Sequence, residues 1–254
     1  GGVIGISTAW FLAKAGVSVL VCEKGRIAGE QSSRNWGWVR QMGRDEAELP
    51  IVTQSLNIWE ELTKEIGNDI GFTRQGLLFL ADNEKDEKEF EEWMEVAKQH
   101  QLDTQILSPA EVGKSLNHSG HSWKSGMYTS SDGRAEPFTA VPAIAKAAQK
   151  KGVKIVENCA ARTIETEVGA ISGVVTELGP VRTKAIVCAA GAWSSTFLRN
   201  INITFPQLLV KGTVARTEPC PDGFLGGACS EKFSFRRRQD GGYTLSLGNY
   251  LDHY

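Results

Sequence analysis

No apolar run in the chain approaches the roughly 20 residues that span a bilayer, which leaves no membrane helix to argue from. Paired cysteine motifs are also missing. The five cysteines (Cys22, Cys159, Cys188, Cys220 and Cys229) are odd in number and form no CxxC, so free thiols in a reducing compartment are expected. Cys22 and Cys188 sit in apolar runs, where cysteine behaves as a small buried hydrophobe. An excess of one charge is lacking too: the net charge is −2 over 254 residues, which gives nucleic acid or an anionic membrane nothing to bind. There is no repeat, no low-complexity segment, no Ser-His-Asp or Cys-His arrangement and no basic aromatic groove. What remains is ordinary globular composition, 41% hydrophobic and 23% charged, in a length that suits one large domain or two smaller ones.

The periodicities predict a mixed α/β chain. Ile6, Ala9 or Trp10, and Ala13 fall at helical spacing after Gly5, and Val17 to Glu23 read as a parallel strand buried on both faces. Val52, Leu56, Trp59, Leu62 and Ile66 share one face of a second helix. "FTRQGLLFLA" predicts two strands broken near Gly76, and residues 83–101 an acidic helix with Phe90, Trp93 or Met94, and Ala97 inward. "SPAE" at 108–111 is a capping box. A helix over 138–151 leads to a strand in "GVKIVEN" and to short strands through 182. "AIVCAAGAW" predicts another buried strand entering a glycine turn. Leu208 to Thr217, Phe233 to Arg238 and Tyr243 to Asn249 alternate like antiparallel strands. Together these predict a Rossmann-like dinucleotide domain (1–45 and 125–200) interleaved with an antiparallel-sheet substrate domain (46–124 and 201–254).

The glycines of "GGVIG" carry the first chemistry. Gly2 occupies the place where a backbone admits a phosphate, and Gly5 the place where helix packs on strand. Glu23 ends the following strand 18 positions after Gly5, near the roughly 20 at which an acid meets the adenosine ribose. The first glycine of the motif and its strand are expected upstream of Gly1. Beyond Glu23 and Lys24, the polar stretch Gln31, Ser32, Ser33, Arg34, Asn35 and Gly37 suits the pyrophosphate and ribityl chain of FAD better than NAD.

"EKG-IAGEQSSR" followed by "NWGW", with "DGRAEP", the segment from "GVKIVEN" to "CAAGAWS", and "FSFRRRQDGGYTL", resembles the flavoenzyme superfamily of D-amino-acid oxidase. The likeness extends to its amino-acid dehydrogenase, oxidase and deaminase members. The resemblance implies that Ser32 and Ser33 touch phosphate or ribityl. It implies that Arg34, Asn35, Trp36, Gly37 and Trp38 pass along the isoalloxazine, that Ala160 and Ala161 border adenine, and that Ala190, Gly191 and Trp193 flank the cofactor. It also implies a closing C-terminal element that this chain does not include.

A flavin that accepts hydride from an amino acid needs the substrate carboxylate clamped, and arginine's planar fork suits that task. On a strand, Ser234, Arg236 and Arg238 share one face. Arg236 is the first candidate for the clamp and Arg238 the second, with Arg40 and Gln41 behind them. His118 and His121 form an H-x-x-H in a polar loop with no third ligand, so no metal is expected. The expected activity is FAD-dependent oxidation of an amino acid's Cα–N bond, the imino acid then giving a 2-oxo acid and ammonia. The acceptor would be O2 or a membrane quinone, and the oligomer a homodimer. The location would be the cytoplasm or the periphery of the inner membrane. An NAD-dependent dehydrogenase and an inactive flavin-fold fragment are the alternatives.

Overall fold

The computed structural model describes residues 1–117, 120–247 and 251–253. His118 of the H-x-x-H and Asn249 at the expected end of the last strand lie outside the described residues. The chain divides into two compact units, one of residues 1–35 and 137–210 with the last two residues, the other of residues 36–136 and 211–252. Residues 36–45 and 125–136, which the sequence pattern groups with the dinucleotide domain, belong to the second unit. Residues 201–210 belong to the first.

In the first unit the helix Val3–Lys14 buries Ile6, Ala9 and Trp10 and packs against the helix Ala140–Lys150. Pro142 is accommodated there because the amides of a first helical turn have no intrahelical acceptor to lose. Leu20–Cys22 pairs in parallel with Lys154–Val156. A meander of Ala161–Glu167, Ala170–Thr176 and Gly179–Arg182 forms a separate antiparallel sheet. Two expectations are corrected. The Val17–Glu23 run is not buried on both faces, since Leu20 stays 38% exposed. "AIVCAAGAW" forms no strand before its turn, and Val187 is 61% exposed. Among the described residues Leu20–Cys22 pairs with Lys154–Val156, and "AIVCAAGAW" pairs with no strand.

The second unit holds a seven-stranded sheet in the order 215–216, 243–247, 233–237, 227–229, 77–81, 125–129, 104–107. Its pairs are antiparallel apart from 227–229 beside 77–81. Leu77–Ala81 is an interior strand. Leu77 and Ala81 pack with Met42, Phe90 and Met127 on one face. Leu78 and Leu80 pack with Val112, Trp123 and Ala228 on the other. Helix Glu84–Gln99 supplies Phe90 and starts at Asn83, whose side chain accepts from Asp86 N in a capping box. Helix Pro109–Ser115 supplies Val112 and starts from the Ser108–Glu111 box that "SPAE" predicts. A small sheet pairs 133–134 with both 38–39 and 73–74. Gly133 is required there, since a Cβ would stand 2.5 Å from Thr73 O. Among the described residues no helix is long and apolar enough to cross a membrane, and all five cysteines are free thiols.

Candidate functional site

The glycine turn of the first unit is built as its spacing predicts. Gly2 is extended, and the helical ladder begins with Ile6 N donating to Gly2 O at 2.9 Å. The amides of Val3, Ile4 and Gly5 therefore precede the ladder and carry the positive end of the helix dipole. No acid occupies the first turn. Val3 N donates to Ser32 Oγ at 2.8 Å, and a Cβ on Gly2 would lie 3.1 Å from that same oxygen. A Cβ on Gly5 would lie in ordinary contact with Ala189 Cβ at 3.4 Å. Glu23 accepts from Gly25 N at 2.8 Å, and its side chain lies so near Gly1 that a Cβ there would stand 2.6 Å from Oε2. The acid and the glycine turn are thus adjacent.

The remaining candidates of this unit fall into two groups. Gln31–Ser33 is a single 3-10 turn, tied by Asn35 Nδ2 donating to Gln31 O and Ser32 O, each at 3.0 Å. Ser33 is buried, while Arg34 is exposed and pairs loosely with Glu30 at 3.8 Å. Lys24 Nζ reaches Glu30 Oε1 at 2.7 Å and lies 3.9 Å from the centroid of the Trp193 ring, bringing two site candidates together. The hydrogen bond from Lys24 holds the Glu30 carboxyl below its ordinary range. Gly191 has φ +54 and leads the Gly191–Trp193 turn. Ala160 has its N–H donated to Glu177 Oε2 at 2.9 Å and its carbonyl accepting Glu177 N at 3.1 Å. Ala161 opens the meander, paired with Thr176.

In the second unit Arg236 is 1% exposed. Its Nη1 donates to Glu136 Oε1 at 2.9 Å and to Arg237 O at 3.2 Å, and its Nη2 reaches Glu136 Oε2 and Thr244 Oγ1, both at 3.5 Å. Glu136 Oε1 also accepts from Arg134 Nη1 at 2.9 Å and from Gln239 N at 2.8 Å. Burial lowers the Arg134 pKa, with the Arg236 charge adding to it and Glu136 opposing. Two buried guanidinium groups therefore share one carboxylate. The Nε of Arg236 is buried without a partner. Arg236 lines a tight cleft with no internal room for a water, together with Trp36, Trp38, Ser234, Phe235, Thr244, Leu245 and Ser246. Trp36 and Trp38 meet edge to face, 4.5 Å between centroids. Gly37, at φ +79, offers its carbonyl to Ala135 N at 2.8 Å.

Arg238 is corrected as a clamp. Its Nε and Nη2 donate to Asp240 at 3.2 and 2.8 Å, Nη1 to Tyr243 O at 2.6 Å and Nη2 also to Thr217 O at 3.0 Å. All three nitrogens hold the turn before Tyr243. The hydrogen bond from Arg238 draws Asp240 down to about 2. Arg40 lies over the Phe79 ring at 5.8 Å and donates to Met42 O. Gln41 joins Ser131 and Thr53. Asp132 accepts from Gln41 N at 2.7 Å and Met42 N at 3.1 Å, while burial pushes its carboxyl up to about 6. His121 Nε2 meets Asp82 Oδ1 at 2.6 Å, and no metal-holding cluster occurs among the described residues. Sequence reasoning missed Arg134 and Glu136. The available signal was two opposite charges at i and i+2 in "DGRAEP", the spacing that places both on one side of an extended chain.

The family model described as DAO, FAD dependent oxidoreductase, matches residues 1–252. Mitochondrial sarcosine dehydrogenase of Mus musculus is 27% identical over 227 residues, which are 86% of this chain and 25% of that protein. The chain thus spans about a quarter of that relative. The structure of L-amino acid deaminase from Proteus myxofaciens, in complex with anthranilate, superposes with a TM-score of 0.93 at 31% identity, covering 99% of this chain and 57% of the other. L-proline dehydrogenase from P. horikoshii gives 0.91 at 26% identity, covering 99% and 68%.

Proposed function

The chain belongs to the DAO family of FAD-dependent oxidoreductases, and on that premise we propose that it serves the FAD-dependent oxidation of an amino acid at its Cα–N bond. The residues of the first unit fit the cofactor. Gly1 and Gly2 keep the space beside Glu23 and Ser32 free of side chains, the first-turn amides face a pyrophosphate, and Glu23 accepts the ribose hydroxyls. Lys24, Gln31, Ser32, Ser33, Arg34 and Asn35 continue along the cofactor, with Ala160 and Ala161 at adenine and Ala190, Gly191 and Trp193 beside it. For the second unit, the resemblance assigns the backbone of Trp36, Gly37 and Trp38 to the flavin ring.

One observation carries the substrate half: Arg134 and Arg236 share a single buried carboxylate, and the Nε of Arg236 has no acceptor. A surplus buried cation is costly unless an anion meets it, and an amino acid brings a carboxylate. Arg236 holds that carboxylate and so orients Cα–H, while the substrate amine is bound neutral and needs no side-chain base. When bound, the flavin supplies a hydride acceptor at N5. With that acceptor the Cα–H would be lost as hydride and the Cα–N bond oxidised to an imine, which water would convert to a 2-oxo acid and ammonia. O2 or a quinone as acceptor, a homodimer, and a cytoplasmic or inner-membrane-peripheral location go with this reading.

The test is the flavin spectrum of the holoprotein and its anaerobic bleaching by separate L- and D-amino-acid sets, glycine and N-methylglycine. Bleaching by at least one is expected. A yellow protein that none of them bleaches removes the substrate reading. A colourless preparation that binds NADH removes the flavin reading as well.

A further inference from the structure

Two of the five thiols meet in the first unit. Cys22 ends the strand Leu20–Cys22, and Cys159 lies in the loop between Lys154–Val156 and the meander. Main-chain bonds tie these segments together around the thiols. Glu23 N donates to Val156 O at 2.9 Å, Cys159 N to Glu23 O at 2.8 Å and Asn158 N to Gly25 O at 2.8 Å. The side chains of Cys22 and Cys159 hydrogen-bond to each other. Cys159 is 2% exposed and Cys22 is half-buried, so Cys22 is the member nearer solvent.

A single buried thiol is a small hydrophobe and argues nothing. Two in contact, one of them partly exposed, supply what a reversible oxidation needs: a sulfur that meets the oxidant and a second that resolves the product. A disulfide requires its sulfurs about 2.05 Å apart, and hydrogen-bonded thiols approach that by side-chain rotation while the main-chain bonds keep the two segments together. Burial and the neighbouring sulfur raise the Cys22 thiol above its ordinary range. That slows oxidation at neutral pH, because the thiolate is the reacting form.

We propose that Cys22 and Cys159 are a redox clasp: hydrogen peroxide converts the thiol pair to a disulfide that fastens the strand before Glu23 to the loop before Ala160. Cys22 sulfur attacks one peroxide oxygen, the O–O bond breaks, and hydroxide leaves a sulfenic acid on Cys22. Cys159 sulfur then attacks Cys22 sulfur; the S–S bond forms, the S–O bond breaks, and the departing hydroxide takes the Cys159 proton as water. The two thiols lose two electrons, the peroxide gains them, and two waters result. Formation of the disulfide is independent of any cofactor. Its consequence rests on the FAD reading, in which Glu23 holds the ribose and Ala160 borders adenine: the closed clasp joins both sides of the adenosine seat and slows the release of FAD.

The holoprotein is treated with hydrogen peroxide, its remaining thiols are alkylated, and its tryptic peptides are mapped by mass. Three alkylated cysteines in place of five are expected, with peptides 15–24 and 155–162 joined and separated again by dithiothreitol. Cys159→Ser is expected to stop at a sulfenic acid on Cys22 that dimedone traps. The oxidised protein is expected to lose FAD on dialysis several-fold more slowly than the reduced one, and peroxide-treated Cys22→Ser to show no slowing. Five thiols surviving peroxide, Cys22 carried to sulfinic acid with no joined peptides, or a link through Cys188, Cys220 or Cys229 overturns the pair. A Cys22–Cys159 disulfide that leaves the rate of FAD loss unchanged overturns the clasp. A protein that forms the disulfide but never holds FAD removes the FAD reading and leaves the thiol pair standing. The peptide map of the unsubstituted protein decides the linkage even where a variant fails to fold.

Discussion

Strands Leu20–Cys22 and Leu77–Ala81 begin as similar short apolar runs and end in opposite conditions. The first has one paired neighbour and leaves Leu20 38% exposed. The second has a strand on each edge and a packed cluster on each face, with Leu78 at 0%. Among the described residues the two runs differ in pairing and enclosure, not in composition. The same contrast extends to charge. In the first unit Lys24, Glu30 and Arg34 pair near solvent, where an ion pair is worth about 0–1 kcal/mol. In the second, Arg134, Glu136 and Arg236 are buried together, where removing the shared carboxylate strands both arginines.

The sharpest way to break this contrast is Glu136→Ala. It leaves two buried guanidinium groups without a carboxylate, and a loss of about 3–5 kcal/mol is expected in urea denaturation. A loss under about 1 kcal/mol would mean that the network is hydrated like a surface pair. Next comes the matched pair Leu78→Ala and Leu20→Ala. The first empties a site enclosed on both faces and should cost about 2–5 kcal/mol. The second removes side-chain surface that water already reaches and should cost below about 1 kcal/mol. Equal losses in thermal or urea unfolding would erase the distinction between the strands.

A pH-dependent effect concerns Asp132, held up at about 6 by burial against the amides of Gln41 and Met42, which favour its charged form. A raised value in the fold means that the folded chain holds the proton more tightly than the unfolded chain. Its contribution is therefore full below the ordinary aspartate range and fades as pH rises to about 6. The stability of wild type minus that of Asp132→Asn should fall between pH 4 and 6 and then level off. A difference that climbs with pH would show the two amides outweighing burial.

What was legible in the sequence was what neighbours along the chain decide. Ser108 and Glu111, three residues apart, are the capping box that they spell, and the helix that follows the glycines begins at Val3. The inward face of the acidic helix, with Phe90 and Ala97, was readable from its period. Pairings that depend on distant segments were not. Glu136 meets Arg236 across 100 positions, and no local pattern marks which of the arginines in "RRRQDGG" it will choose. Arg238 looked equivalent to Arg236 by alternation, yet Asp240, two residues on, captures it. "AIVCAAGAW" has a strand's composition, but composition cannot supply the neighbouring strand that would make it one.

The two-to-one ratio of arginine to carboxylate around Glu136 has an evolutionary corollary. Arg134 is the member whose loss would leave Arg236 and Glu136 as a balanced pair, so replacing it with a long apolar side chain relieves the fold of its surplus charge. The same replacement weakens the pull on an incoming anion. Under the proposed substrate reading, robustness and anion binding are opposed at that one position.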